Sequence, residues 1–249
     1  MPPTTTPAEP GYEIEQGLHA IGPLRHGWTV GGYSRAYLFE EGDDLTLVDT
    51  LYDDDAHMVI EYLWSIGRSP REVTNIVLTH SHRSHIGGAA RMRELSGAPV
   101  SCHVAEAGVI EGKDSLAPVH WLPLRPLVLI PFRVLSHLHR PPAVPCVVDR
   151  TITEGDAFGS LEVLYVPGHT PGSLALMWRK RVLISADAVL TWPSFGPGWP
   201  GFNLDQLEFR RSLWRLVSLE PQIVCPGHGL PIVEHTSERL AMLFDGPPA

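Results

Sequence analysis

The segment His80-Ser81-His82-Arg83-Ser84-His85 carries three imidazoles within six residues, separated by Thr79 alone from the apolar run at 75–78. Three more residues of metal-ligating type stand in the same kind of place. His169 follows LEVLYVPG, Asp187 follows VLISA and His228 follows QIVCPG. Each lies just beyond a run that reads as a strand, where a rigid sheet can hold a side chain in position. Neutral imidazole nitrogen and carboxylate oxygen are the usual ligands of zinc and similar borderline metals. His80 and His82 can converge on one ion from a loop, whereas positions i and i+2 diverge on a helix. Gly168, Gly172, Gly227 and Gly229 lie beside two of the histidines and let the backbone turn sharply next to a site.

The elements that must position these residues follow from the hydrophobic pattern. Short apolar or alternating runs at 18–21, 36–39 and 45–48 predict antiparallel strands. A helix is expected over 54–66, with Met58, Tyr62 and Ile66 on one face and Gly67 as its stop. A strand at 73–78, a helix at 86–95 and a strand at 100–104 continue as a βαβ alternation. Strands at 147–152, 161–166, 174–178 and 182–185 follow, then a helix at 205–219, a strand at 222–225 and a closing helix at 237–244. The two halves share an order of elements without a sequence repeat, which predicts an α/β body of four layers.

Residues 1–12 are expected to form a flexible tail and 13–249 a single domain. Between the halves, 113–146 holds seven prolines among Leu, Val, Ile, Trp and Phe, which forbids a central strand or an unbroken helix. We read this stretch as a lid or pocket wall; a cover over the core or a contact in a homodimer is the alternative. A second loop, 191–202 (TWPSFGPGWPGF), is rich in aromatic residues and is expected beside the site.

With 249 residues, 43% of them hydrophobic, the chain can bury a substantial core. Its 19 basic and 28 acidic residues give a net charge of −9, and no basic run would follow a phosphate backbone, so nucleic acid is not an expected partner. No apolar run is long enough to span a bilayer and the N-terminus lacks a secretory pattern, which predicts a cytoplasmic protein with no membrane partner. Cys102, Cys146 and Cys225 are odd in number and lack CxxC spacing, so they are expected to be ordinary buried residues.

Four motifs in order, HSHRSH at 80–85, PGHTPGS at 167–173, SADA at 185–188 and PGHG at 226–229, resemble those of the metallo-β-lactamase-fold hydrolase superfamily. The resemblance runs from about residue 14 to the C-terminus. It implies an αββα sandwich of two mixed sheets flanked by helices. It also implies a first metal site of His80, His82 and His169 and a second of His85 and His228, with Asp187 bridging. Zinc is the implied ion, with iron and manganese as alternatives. Asp49, in LTLVDT, matches an early buried Asp of the family with a structural role.

Ser84 stands where the family motif carries a second-site Asp. A neutral hydroxyl is a poor zinc ligand beside a carboxylate, so one tightly held ion or an unequal pair is expected. The implied reaction is hydrolysis by hydroxide generated on the metal, with Ser84 and Asp187 as candidate catalytic residues. Ser84 can orient water but cannot serve as a carboxylate base. The proline-rich loop and Trp192, Phe195, Trp199 and Phe202 suggest a small, partly apolar ester, lactone or thioester substrate. Two other readings remain open: an enzyme resembling the superfamily's mononuclear iron sulfur dioxygenases, and a catalytically impaired or regulatory binding protein on the same scaffold.

Overall fold

In a computed structural model the described residues are 10–23, 33–116 and 142–244. The first sheet takes its strands in sequence order: β1 (Gly11–Glu15), β2 (Leu18–Ile21), β3 (Ala36–Glu41), β4 (Asp44–Val48), β5 (Asn75–Val77), β6 (Val100–Cys102) and β7 (Arg150–Thr151). It is antiparallel from β1 to β4 and parallel from β4 to β7. The second sheet contains β8 (Ala157–Phe158), β9 (Leu161–Tyr165), β10 (Leu174–Trp178) and β11 (Val182–Ala186). Beyond a small ribbon of β12 (Val189–Leu190) and β13 (Gly196–Pro197), β14 (Ile223–Pro226) joins that sheet parallel to β11. Both sheets are therefore mixed.

Alternation along the strands sorts the core into three apolar layers. Tyr37, Phe39 and Val48 of the first sheet meet Leu176, Trp178 and Ile184 of the second, filling the space between them. On the outer side of the first sheet, Leu38, Leu47 and Ile76 pack against Val59 and Leu63 of α1 (His57–Ser65). After the single turn α2 (Arg83–Ile86), α3 (Ala89–Ser96) and α4 (Val104–Ile110) add Met92 and Ile110 to that layer. On the far side, Met177, Leu183 and Val224 pack against Phe209, Leu213 and Leu216 of α5 (Gln206–Val217) and Leu240 of α6 (Thr236–Ala241). Both faces of each sheet are covered, which is why these strands read as near-continuous apolar runs. The layers stack as αββα, as expected.

Several boundaries differ from the sequence expectation for identifiable reasons. The helix expected over 54–66 is shorter, and its buried face is Val59, Tyr62 and Leu63, because Ala56 in the left-handed region starts it late. The helix expected over 86–95 is broken at Gly87-Gly88, where the backbone of 50–52 lies against it: Gly87 N–H donates to Leu51 O at 2.8 Å, and a Cβ on Gly87 would collide with Tyr52 O. The strand expected over 100–104 stops at Cys102, because the His103 side chain accepts the Ala105 N–H and caps an unexpected helix, α4. Strand β1 is a further addition to the expected elements, and it begins at Gly11, inside the range assigned to the tail. Residues 1–9 and 117–141 lie outside the described residues, and with them most of the proline-rich loop read as a lid. The three cysteines are buried and unpaired. Among the described residues no helix is long and apolar enough to cross a membrane.

Opposite faces of α5 give a direct test of this packing. Leu213 is 2% exposed and Leu207 51%. In urea unfolding Leu213→Ala is expected to cost about 2–5 kcal/mol, and Leu207→Ala no more than roughly 0.5 kcal/mol.

Candidate metal centre

The six singled-out ligands meet at one edge of the two sheets. His80 and His82 lie on the loop after β5, His85 on α2, His169 on the turn between β9 and β10, Asp187 directly after β11, and His228 two residues after β14. They form two groups that share Asp187: His80, His82, His169 and Asp187, and His85, Asp187 and His228. In the first, His82 Nδ1 lies 3.1 Å from His80 Nε2 and 3.0 Å from His169 Nε2. Asp187 Oδ2 is 3.3 Å from His169 Nε2 and 3.8 Å from His80 Nε2. The three rings stand nearly perpendicular to one another, at 82°, 86° and 88°. In the second group His85 Nε2 lies 3.3 Å from His228 Nε2 and 3.2 Å from Asp187 Oδ1, and Asp187 Oδ2 is 3.5 Å from His228 Nε2.

Ligand atoms about 2.0–2.1 Å from a tetrahedral zinc ion lie about 3.3 Å from one another, close to these separations. Hydrogen bonding on the far side of the rings strengthens the fit. Asn203 Oδ1 accepts from His169 Nδ1 at 2.9 Å, and Asp49 Oδ2 from His85 Nδ1 at 2.8 Å. A neutral ring that donates from Nδ1 presents a bare lone pair at Nε2, so these lone pairs point inward. Asp187 Oδ1 is buried and, among the described residues, has no hydrogen-bond partner. Lone pairs facing one another in a buried space make a site suited to holding a cation.

The electrostatics agree, with one tension. Burial, reinforced by the charge of His85, drives His80 well below the usual histidine range; burial and His169 do the same to His82. Burial also pushes Asp187 up, but His228 and His85 outweigh it and hold the carboxyl well below its usual value. Burial pulls His85 down, yet Asp187 and Asp49 together push it up to about 10. A protonated His85 conflicts with ligation through Nε2. Both follow from the negative charge around the ring, Asp187 facing Nε2 and Asp49 facing Nδ1. A metal ion would satisfy the three facing ligand atoms where a proton satisfies one, so these residues would hold a cation in preference to the proton.

Asp49 takes the structural role expected of it. Besides His85 it accepts from Thr79 N–H and Thr79 Oγ1, both at 2.8 Å, fixing the start of the HSHRSH loop. Gly227 is demanded by the site, since a Cβ there would collide with Asp187 Oδ1. Ser84 sits half-buried in α2 between His82 and His85 and brings no carboxylate to the second group. His82 is the half-buried member of the first group, the others being buried, so that group opens outward on its side.

The aromatic loop divides. Phe202 packs edge-on to His82 at 6.2 Å, Trp199 lies 5.2 Å from the His228 ring, and Trp192 lies 5.9 Å from Trp199. Phe195 does not join them: it packs toward α5 and α6, with Arg239 4.9 Å over its ring, because the chain turns back through β13 just after it. Three buried neighbours of the cluster escaped the sequence reading: Asn203, Glu106 and Arg35. Asn203 carries no sequence signal, Glu106 lies in a helix that was not expected, and Arg35 is a charged residue among apolar ones whose burial depends on tertiary contacts.

Comparison with known proteins fits this geometry. A family model described as the metallo-beta-lactamase superfamily matches residues 29–228. The chain is 26% identical over 252 residues to the probable metallo-hydrolase YflN of Bacillus subtilis, spanning 93% of this chain and 91% of that one. It is 27% identical over 202 residues, 81% of its length, to the Beta-lactamase-like protein 2 homolog of Drosophila melanogaster, of which it spans 60%. Over 131 residues it is 34% identical to the acyl-coenzyme A thioesterase MBLAC2 of Gallus gallus, covering 49% of this chain and 44% of that one. A metallo-beta-lactamase family protein from Thermus thermophilus shares the fold, with a TM-score of 0.66 at 24% identity over 92% of this chain and 78% of that one.

Because Asp187 is the one ligand common to both groups, Asp187→Ala is expected to lower zinc binding at both, whereas His228→Ala lowers it only at the second. Equilibrium dialysis against zinc separates the two outcomes.

Proposed function

The chain belongs to the metallo-beta-lactamase superfamily, and from that premise we propose that it is a zinc-dependent acyl hydrolase whose preferred substrate is a thioester with an apolar acyl group. The observation that carries the reading is the convergence of two ligand groups on one buried carboxylate, Asp187. A zinc-class ion held there lowers the pKa of water to about 7 and polarises a carbonyl.

The chain's own residues supply the rest. His80, His82, His169 and Asp187 form the fuller group. The second has His85, His228 and Asp187 without the carboxylate that Ser84 replaces, and is the weaker of the two. Ser84 can orient water through its hydroxyl but cannot take up a proton as a carboxylate does. Asp187 is then the one carboxylate in the ligand set, and both ligand groups draw on it. Protonating an alkoxide leaving group is the step such a site does worst. A thiolate avoids that step, since thiols ionise near a pKa of about 8.5. The thioesterase named among the relatives favours the same bond. Trp199 and Phe202, beside His228 and His82, provide an apolar wall for the acyl group.

With zinc supplied, a panel of acyl thioesters, oxygen esters and lactones is expected to show kcat/KM at least tenfold higher for thioesters. Trp199→Ala is expected to raise KM for apolar acyl groups more than it lowers kcat. Ser84→Asp is expected to raise the rate on oxygen esters more than on thioesters. An inert panel would leave the binding-protein reading, and oxygen uptake by an iron-loaded form would favour the dioxygenase reading.

A further inference from the structure

Two buried charged side chains outside the ligand sets make contacts with the loops that carry the ligands. Glu106, 1% exposed, accepts the Ser81 N–H through Oε2 at 2.9 Å and the Gly172 N–H through Oε1 at 2.7 Å. Ser81 is the residue between His80 and His82, and Gly172 lies three positions after His169. One carboxylate thus joins the two loops that bring all three histidines of the first group together. As the third residue of α4, behind the cap His103, a glutamate would ordinarily reach back to its own helix start. Here both oxygens are engaged by the ligand loops instead. Gly172 is shaped by the same contact, since a Cβ there would lie 2.7 Å from Glu106 Cγ and 2.8 Å from His103 Nδ1.

Arg35 does the equivalent at the other group. It is fully buried, its backbone N–H donates to Gly227 O at 2.8 Å and its Nε donates to Gly229 O at 2.8 Å, so it brackets His228 on both sides. Its Nη2 donates to Pro23 O at 2.6 Å and its guanidinium lies 4.8 Å over the Tyr33 ring, which fixes the clamp. Among the described residues Glu106 holds the backbone beside His80, His82 and His169, and Arg35 holds the backbone beside His228.

We propose that the two ligand groups are held by separate positioning residues, Glu106 for the three-histidine group and Arg35 for His228, so that each can be weakened without the other. The proposal rests on the metal-dependent reading above. Both residues act through backbone amides and carbonyls of the ligand loops, and partners that orient ligands typically account for roughly 10–100-fold in metal affinity.

The test is a titration with zinc alone in two backgrounds. His228→Ala isolates the first group, and His82→Ala combined with His169→Ala, which leaves only His80 and Asp187 there, isolates the second. Glu106→Gln keeps the shape but can accept only one of the two N–H groups. It is expected to weaken zinc at the first group by roughly 10–100-fold and to leave the second within about threefold, with Glu106→Ala stronger in the same sense. Arg35→Gln is expected to reverse the pattern. A variant that weakens both groups alike, that shifts only the melting temperature, or that fails to fold would overturn the proposal in favour of a general structural role. If the unmodified protein bound no zinc, the metal-dependent reading itself would fail, a result distinct from unchanged affinity in Glu106→Gln.

Discussion

One buried carboxylate sets the terms for this structure. Asp187 lies 5% exposed among five imidazoles whose ring nitrogens are directed toward it. Outward hydrogen bonds to Asn203 and Asp49 leave His169 and His85 with lone pairs facing in. Such an arrangement is repulsive without positive charge at its centre and strongly favourable with it. The cluster is suited to holding a cation, and the surrounding architecture can be understood as the means of assembling it.

Two mixed sheets packed face to face provide the means. The ligand loops leave strand ends at one edge of the sandwich, and the apolar layers on both sides of each sheet fix those ends. Close backbone approach completes the cluster: Gly87 against the 50–52 segment, Gly227 against Asp187, and Gly172 against Glu106. Each is a place where a side chain would push a ligand loop away. The helix break at Gly87-Gly88 is part of this, since Thr50 N–H donates to His85 O at 2.6 Å and thereby locks the turn carrying a ligand to the backbone beside Asp49.

Much of this was legible in the sequence. Four of the six candidate ligands, His80, His169, Asp187 and His228, stand just beyond strand ends, and the apolar runs before them mark those strands within a few residues. The buried second layer was harder to see. Glu106 sits in a helix that its neighbours disguise, because Val100 to Cys102 reads as a strand continuing through Val104. Asn203 lies in a loop whose partner is 34 residues away, and Arg35 is a charge that tertiary contacts bury completely. Nothing in local patterning reveals such pairings. The aromatic loop was half legible: Trp199 and Phe202 reach the ligands, while the turn through β13 sends Phe195 to the opposite layer.

Ser84 gives the site its asymmetry. Four side chains of the first group face one centre, against three in the second, where Ser84 brings no carboxylate. The most direct measurement is anomalous diffraction at the zinc edge from crystals grown with excess zinc. The account predicts a strong peak enclosed by His80, His82, His169 and Asp187, and a weaker one between His85, His228 and Asp187. Absence of the first peak, or equal occupancy of both, would contradict it.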